Sequence, residues 1–333
     1  MTKSRYIFKN SHKGVTLVEL MMALAVLGII IPAAVMLLSS VMKGFTGYEA
    51  SINLKKNNQE SVNRIYLRLG SSKRIFQRSN ADYLGAINLT GCPAVLSGSQ
   101  LPVIQSTGTL SFGTTNYASV DYGNSLYFAT NEGTLSLIIS TSVTKRMDFF
   151  QFNYYYLTTD NTNSIYETQS YRLVEWRSIK YADLGQITSI SDTTLRGQII
   201  DAVRANGINY AWDTSSVGLN NAFATLGTAS YTLIASHSIP SSKVTVLTKI
   251  LTNIMGGYRY GVSPNSAGWA HAPRTVPLYA TANGSFPSGF EIGILGSTSG
   301  RKVLLRCVLV AQGAFPGIIG EEQQLVASAR DLW

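Results

Sequence analysis

The stretch that decides the fold is Lys13-Gly14-Val15-Thr16-Leu17-Val18-Glu19, followed by residues 20–38, which carry no charge. As a helix, these nineteen residues span about 28 Å at about 1.5 Å per residue. That length matches a bilayer hydrocarbon core of about 30 Å. The basic residues before the run, with no acid among them, keep this end cytoplasmic; they are Lys3, Arg5, Lys9 and Lys13. The pattern predicts a single-pass membrane anchor with most of the chain outside the cytoplasm.

Glu19 is the unusual residue of this segment, because it lies at the edge of an otherwise apolar span. A carboxylate at bilayer depth costs roughly 2.5 to 3.5 kcal/mol, so an acid there is a candidate functional residue. The alternative places Glu19 at headgroup level, where the N-terminal dipole of a helix favours an acid in the first turn. On this residue alone, both interpretations stay open.

The string Lys-Gly-Val-Thr-Leu-Val-Glu resembles the signature of type IV pilins and pseudopilins, Lys/Arg-Gly-Phe-Thr-Leu-Ile/Val-Glu at the head of a long apolar helix. Val15 stands where the family usually has phenylalanine. The resemblance implies that a prepilin peptidase cleaves between Gly14 and Val15 and then methylates the new amine of Val15. It also implies that Glu19, the fifth mature residue, pairs with the amine of a neighbouring subunit. A buried acid is tolerated when it meets a buried cation.

Residues 1–14 are therefore interpreted as a cytoplasmic leader peptide that is removed, and they are excluded from the fold. A secretory signal peptide is the rival interpretation. Its apolar region would be about 7 to 15 residues long and would end in a small-residue cleavage site. The run here is longer, and residues 39–43 form a poor cleavage site. These two observations argue against a secretory signal.

Gly28 and Pro32 interrupt the apolar run. Proline removes the hydrogen bond to the carbonyl four residues earlier, which belongs to Gly28, and glycine is a poor helix former. The pair predicts a soft point that kinks the helix rather than ending it. Glycine and proline are also ordinary residues of transmembrane helices, so a functional role and a neutral one are both open.

Beyond the span, apolar residues recur at helical spacing from residue 48 onward. Gly70 is a typical residue to end a helix. The sequence thus predicts a transmembrane and assembly helix over residues 15–42, followed by an amphipathic stem helix within residues 43–78.

Charge is concentrated in these N-terminal segments. The chain has 27 Lys and Arg against 18 Asp and Glu, whereas residues 79–333 carry fifteen of each sign. The high isoelectric point therefore does not predict nucleic-acid binding by the large domain. The basic stem is compatible with anionic headgroups and equally with a solvated helix face.

Residues 79–333 are predicted to form an extracytoplasmic globular domain. They are rich in Ser, Thr, Gly, Asn and Tyr, and only 14% of the whole chain is charged, well below the usual quarter. This composition favours a β-rich, mainly antiparallel domain. The predicted fold class is α+β, with a long N-terminal helix packed on that domain.

Strand signals are clearest in the middle of this domain. Residues 125–130 and 134–141 flank Asn131-Glu132-Gly133, which predicts a hairpin. In residues 148–158, aromatic residues recur at every second position and share one face; they are Phe150, Phe152, Tyr154 and Tyr156. Because aromatic side chains bury large areas, we expect this row to pack on the stem helix rather than to bind a ligand.

A turn at residues 160–163 is predicted to lead to a partner strand over residues 166–176. Near the end of the chain, residues 289–295 and 302–310 predict a final hairpin. This order of elements is similar to that of the large minor pilins and pseudopilins of the PilW and pseudopilin-J type.

Two helices are expected to interrupt the strands. Asp192 is predicted to cap a helix over residues 193–205, and Ser241 or Ser242 a second helix that extends to about residue 254. Two stretches exceed what the similar pilins contain and are predicted to be surface insertions; they are residues 207–230 and 256–288.

No catalytic or cofactor motif occurs in the sequence: it has no GxGxxG, P-loop, GxSxG or HExxH pattern. His12 lies in the leader, so only His237 and His271 remain, far apart in the chain. A lone histidine is more often a surface or core residue than a metal ligand, because metals need several ligands. We therefore predict no cofactor, no metal and no enzymatic activity.

Cys92 and Cys307 lie 215 residues apart. In an oxidising compartment a disulfide across so long a loop stabilises by roughly 4 to 5 kcal/mol in the chain-entropy model. A buried thiol in the apolar strand around Cys307 is equally ordinary. Both states are open.

The sequence thus predicts a processed pilin-like building block of a type IV pilus or a type II secretion type machine. Its expected partners are the inner membrane, prepilin peptidase and other pilin-like subunits, with a secreted cargo or surface ligand as a further candidate. The alternatives are a cargo-binding or adhesive tip subunit and, less favoured, a membrane-anchored extracytoplasmic enzyme. The enzyme requires His237 or His271 to lie beside an acid or a hydroxyl nucleophile.

Overall fold

The computed structural model describes a chain in two units. The described residues are 15–76, 81–95, 103–104, 110–111, 120–123, 125–140, 143–165, 168–247, 251–252, 290–295, 302–312 and 318–328. One unit contains residues 15–50, and the other contains the described residues from Ser51 onward.

The helices and strands alternate in a mainly β order. They are α1 (Leu17–Gly70), β1 (Ser72–Phe76), α2 (Ala81–Gly85), β2 (Val103–Ile104), β3 (Leu110–Ser111), β4 (Val120–Gly123), β5 (Leu126–Ser140), β6 (Val143–Ile165), β7 (Thr168–Asp183), α3 (Leu184–Thr188), α4 (Thr193–Ala205), β8 (Tyr210–Trp212), β9 (Phe223–Gly227), β10 (Ser230–Ile234), β11 (Ser241–Val246), β12 (Leu251–Thr252), β13 (Phe290–Leu295), β14 (Lys302–Gln312) and β15 (Ile318–Ser328).

The first unit is the N-terminal part of α1. Every residue from 15 to 46 is exposed, and the helix continues past Gly28 and Pro32 without ending. Within the described residues, α1 is the one helix long and apolar enough to cross a membrane, with a mean hydropathy of 2.7 in its most apolar part. A kink at Gly28 and Pro32 stays a prediction.

The second unit begins with residues 51–70 of the same helix. Its end at Gly70 confirms the expectation drawn from that glycine. Residues 72–76, which the sequence places in the stem region, form the strand β1 instead. The buried apolar side chains of this part of α1 lie on one face, as the helical period requires; they are Leu54, Val62, Ile65 and Leu69.

Two larger sheets and one small one make up the β structure. The first has nine strands in the order β1-β5-β6-β7-β8-β9-β10, with β11 and β12 also paired to β7. The second has the order β15-β14-β13-β4, and β2 pairs with β3. Described pairings are antiparallel except for β7 with β8 and an isolated bridge between Ile87 and Ile239. The α+β fold class is confirmed.

Helix α1 packs into the cluster that joins the two larger sheets. Leu54, Ile65 and Leu69 share this core with Tyr155 and Leu157 of β6. Strands β13 and β14 of the four-stranded sheet supply further side chains to it, among them Phe290, Ile292, Leu305 and Cys307.

The aromatic row of β6 lies on the opposite face of the nine-stranded sheet, so the expectation that it packs on the stem helix is wrong. Phe150, Phe152, Tyr154 and Tyr156 belong to a separate cluster with Trp176, Trp212 and Phe223. The period of two is correct, but the helix covers the odd-numbered face, where Tyr155 and Leu157 lie. Periodicity shows which residues share a face and not which partner covers it.

The predicted hairpin at Asn131-Glu132-Gly133 is also wrong, because β5 runs through it as one strand. Asn131 pairs with Phe150 and Gly133 with Phe149, so Glu132 is the extra residue of a β-bulge. Gly133 has a φ of 125°, which glycine tolerates best. The glycine thus serves a bulge here and not a chain reversal.

The helix expected to begin at Ser241 or Ser242 is a strand. Residues Ser241–Val246 pair antiparallel with β7, with Val244 opposite Trp176 and Val246 opposite Val174. Residues Leu251–Thr252 pair with the same strand. Three consecutive β-branched residues, 244–246, favour an extended chain over a helix.

Four other expectations are settled by the strands and helices. The helix Thr193–Ala205 is confirmed, and Asp192 Oδ1 accepts hydrogen bonds from the N–H groups of Thr194 and Leu195. The antiparallel pairs β6 with β7 and β13 with β14 are confirmed. The turn expected at residues 160–163 is wrong, because β6 continues through them to Ile165, which pairs with Thr168.

Residues 207–230 are not the expected surface insertion. They supply strands β8 and β9, and Trp212 and Phe223 from these strands are fully buried. Sequence length alone could not distinguish an insertion from added strands. Residues 256–288 lie outside the described residues.

Gly197 lies where α4 meets the turn between β9 and β10, and it should not tolerate a side chain. A Cβ atom there would lie 3.0 Å from the Cβ of Ala229 and 3.1 Å from its carbonyl oxygen. We expect Gly197→Ala to lower the free energy of unfolding by about 1 to 3 kcal/mol, as overpacking does. Gly218→Ala is the control, since no atom lies within 4 Å of that position. Denaturant unfolding measures both, and equal effects would contradict the close approach.

Candidate functional site

The N-terminal segment begins at Val15, which is 73% exposed. Gly14 lies outside the described residues, so cleavage between Gly14 and Val15 and methylation of Val15 stay predictions. Thr16 follows, and helix α1 begins at Leu17. The candidate site is therefore the first turn of a long, exposed apolar helix.

Glu19 folds back onto the start of its own helix. Its Oε2 atom accepts a hydrogen bond of 2.9 Å from the N–H of Thr16 and one of 3.0 Å from the Thr16 hydroxyl. The N–H of Glu19 donates in return to the Thr16 hydroxyl oxygen at 3.3 Å. This reciprocal arrangement is a capping box, which satisfies backbone N–H groups that the first turn leaves without partners.

The sequence contains the signal for this capping box. The two arguments about Glu19 made from the sequence, the cost of a buried acid and the helix dipole, do not reveal it. Thr-x-x-Glu before an apolar run is its usual pattern, and here it is Thr16 to Glu19. Within one subunit Glu19 thus has a local structural partner. That observation matches the interpretation of Glu19 as a first-turn acid, and it leaves the pairing with a neighbouring amine untested.

A second cluster of charged side chains holds the stem part of α1 on the nine-stranded sheet. The Glu175 side chain of β7 is 0% exposed and forms ion pairs with three arginines. Arg64 Nη2 donates a hydrogen bond to its Oε2, and Arg68 Nε lies 3.3 Å from its Oε1. Arg177 Nε lies 3.7 Å from Oε2.

Tyr155 completes the coordination of the Glu175 carboxylate, because its hydroxyl donates to Oε1 at 2.8 Å. Burial by itself would raise the pKa of Glu175. The hydrogen bonds from Arg64 and Tyr155 and the positive charges of Arg64 and Arg177 outweigh it, so the pKa of Glu175 is lowered. Burial, followed by the charge of Glu175, raises the pKa of Tyr155 well above its usual value.

The bulge of β5 extends this cluster. Arg68 Nη1 donates to Glu132 Oε1 at 2.9 Å, and the hydroxyl of Thr130 donates to the same oxygen at 2.9 Å. Glu132 is the extra residue of the bulge. The stretch Asn131-Glu132-Gly133, which is typical of a turn, therefore places an acid against the helix. An open groove beside the cluster is lined by Arg64 and Arg68 and by two acids, Glu60 and Glu132. This mixture of charges does not favour a ligand of one charge.

The comparison with protein families finds a match near the N-terminus. The family described as "Prokaryotic N-terminal methylation motif" matches residues 9–31. These residues include the Gly14–Val15 bond, the capping box and the first half of the apolar run. This motif at the head of a long apolar helix supports a type IV pilin or pseudopilin family for the chain. The comparison with curated proteins and the comparison with solved structures found no match.

Helix α1 has two parts, an exposed apolar part at its N-terminal end and a part that packs within the globular unit. The methylation motif and the exposed apolar part of the helix fit a single-pass membrane anchor followed by a C-terminal globular domain. The same motif is that of a structural subunit. Among the described residues, no group of three or more His, Cys, Asp or Glu is placed to hold a metal ion.

The structure separates the two cysteines. Cys92 is partly buried against the aromatic cluster, whereas Cys307 is buried in the cluster beneath α1. No disulfide joins them in the described part of the chain, since the nine-stranded sheet lies between the two clusters. Of the two states that the sequence leaves open, this arrangement favours the buried thiol at Cys307.

The histidines give no nucleophile and base pair in the described residues. His237 Nε2 lies 3.0 Å from the hydroxyl of Tyr181, and both groups are buried. His271 lies outside the described residues. A membrane-anchored enzyme would need an acid or a hydroxyl nucleophile beside a histidine. In the described residues, the hydroxyl beside His237 is that of the buried Tyr181.

Glu175 should be the residue whose charge the globular unit needs most. We expect Glu175→Gln to lower the free energy of unfolding by about 3 to 5 kcal/mol, because it leaves partly buried guanidinium groups without their carboxylate. Glu60→Gln is the matched control, since its pair with Lys56 at 3.9 Å is exposed and should contribute about 0.5 kcal/mol or less.

Denaturant unfolding of the detergent-solubilised protein, followed by tyrosine and tryptophan fluorescence, measures both variants. A loss for Glu175→Gln no larger than that for Glu60→Gln would show that the cluster does not hold α1 on the sheet.

Proposed function

We propose that the protein is a minor pilin-like or pseudopilin subunit of a type IV pilus or type II secretion type machine. The proposal rests on the methylation-motif match over residues 9–31 at the head of a helix whose residues 15–46 are all exposed. A soluble role would leave those apolar side chains in water. A bilayer and the helices of neighbouring subunits both remove them from it.

The first step is processing at the membrane. Prepilin peptidase cleaves between Gly14 and Val15 on the cytoplasmic side and methylates the Val15 amine. The apolar helix then holds the mature subunit in the inner membrane, with the globular unit outside the cytoplasm.

The second step is assembly by packing of apolar helices. Glu19 pairs with the N-terminal amine of a neighbouring subunit, which neutralises both charges as the helices leave the bilayer. The capping box supports this role, because it holds the carboxylate beside the start of the helix, where Val15 directly precedes Thr16. Two hydrogen bonds from Thr16 also offset part of the cost of removing the carboxylate from water.

The size of the chain favours a minor position in the filament. With 333 residues and a globular unit built from two larger sheets, it is roughly twice the length of a typical major pilin. We therefore assign it to the initiation or the tip of a filament rather than to its shaft.

The role of Glu19 distinguishes an assembling subunit from a plain anchor. We expect Glu19→Ala to leave cleavage and membrane insertion intact but to abolish incorporation into filaments. Insertion should improve slightly, because removing an acid lowers the transfer cost of the helix. Cross-linking in membranes and immunoblotting of sheared filaments measure the two steps separately.

Glu19→Asp is the matched control. It keeps the charge and shortens the side chain by one methylene, so a short-range pair should give a partial loss of incorporation. Normal incorporation of Glu19→Ala would refute the pairing and reduce Glu19 to its role in the capping box.

A further inference from the structure

Residues 235–240, which connect β10 to β11, form a strap over the aromatic cluster. His237 and Ile239 point inward, with exposed fractions of 8% and 0%. Ser236 and Ser238, which alternate with them, are exposed. The strap therefore places one titratable side chain in the core of the globular unit.

Aromatic rings surround His237. The centroid of its imidazole ring lies 4.7 Å from that of Phe223, 4.9 Å from Tyr210 and 5.7 Å from Tyr181. Its Nε2 atom lies 3.0 Å from the Tyr181 hydroxyl. The titratable groups that face it are thus Tyr181 of β7 and Tyr210 of β8, and tyrosines do not ionise in the acid range.

No carboxylate of a described residue forms an ion pair with His237, and burial lowers its pKa. The faces of the rings attract a cation, but they do not replace the water that an imidazolium loses in the core. The imidazole is therefore neutral while the strap is closed.

The strap fastens a second segment to the same cluster. The N–H of Ile239 donates to Ala86 O at 2.8 Å, and the N–H of Asn88 donates to Ile239 O at 2.9 Å. Between them, Ile87 packs into the aromatic cluster. Release of the strap would free residues 86–88 and uncover this part of the core.

We propose that the strap is an acid-sensitive fastening, in which protonation of His237 releases residues 235–240 and, with them, residues 86–88. The sign follows from linkage. The closed state excludes the proton and the open state binds it near pH 6.5, so the closed state is fully favoured above that pH and weakens below it. The proposal does not depend on the role of the chain in a filament.

Hydrogen exchange of the full-length protein in detergent, read by mass spectrometry at pH 7.5 and pH 5.0, tests the fastening. After correction for intrinsic exchange, protection of the amides of Asn88 and Ile239 should fall by up to about 30-fold at pH 5.0, the limit set by an open-state pKa near 6.5. Helix α4, which lies outside this contact, is the internal control and should keep its protection.

His237→Phe is the matched variant, because it keeps an aromatic ring and removes the titratable nitrogens. Its protection should be the same at both pH values. Tyr181→Phe removes the hydroxyl and keeps His237, so its pH dependence should persist.

Two results would overturn the proposal: unchanged protection of the wild-type strap at pH 5.0, or an equal loss in His237→Phe. If His237→Phe fails to fold, titration of the His237 ring in the wild-type protein decides. A pKa at or above 6.5 in the closed state would refute the acid-sensitive strap.

Discussion

The apolar side chains along residues 17–42 of helix α1 require surroundings other than water, and the rest of the described chain leaves them exposed. The large apolar residues in this stretch are 48–74% exposed. Burying one such side chain is favourable by about 1.5 to 3 kcal/mol. A monomer in water would therefore lack this favourable free energy at every one of these side chains. A bilayer satisfies the requirement, and in the proposed filament the apolar helices of neighbouring subunits would satisfy it.

The apolar face of the stem part of the same helix is buried within the globular unit. Residues such as Leu54 and Ile65 are buried against the two larger sheets, and Arg64 and Arg68 hold the helix to Glu175 of β7. Hydrophobic contacts are not directional, whereas these ion pairs and hydrogen bonds fix the helix at one register on the sheet.

The sequence is most informative where a local rule decides the structure. The apolar run, Gly70 and the capping residue Asp192 each act within a few residues, and the helices that they predict are present. The aromatic row of β6 is predicted correctly to share one face but is given the wrong partner, because the covering element comes from elsewhere in the chain. Gly133 and the segment from Ser241 mislead for the same reason: pairing with β6 and β7 overrides a turn signal and a helix signal. Glu175 could have been suspected only from Leu173 and Arg177, which share its face of β7, since Arg64 and Arg68 come from a distant part of the chain.

The central claim, that residues 1–14 are removed so that α1 can assemble, is tested most directly by the intact mass of the protein recovered from membranes. Cells with an active prepilin peptidase should yield a chain that begins at Val15 and carries one added methyl group. Cells without the peptidase should yield the full chain from Met1. A protein that keeps residues 1–14 in the presence of the peptidase, or that is found in filaments with them attached, would contradict the account.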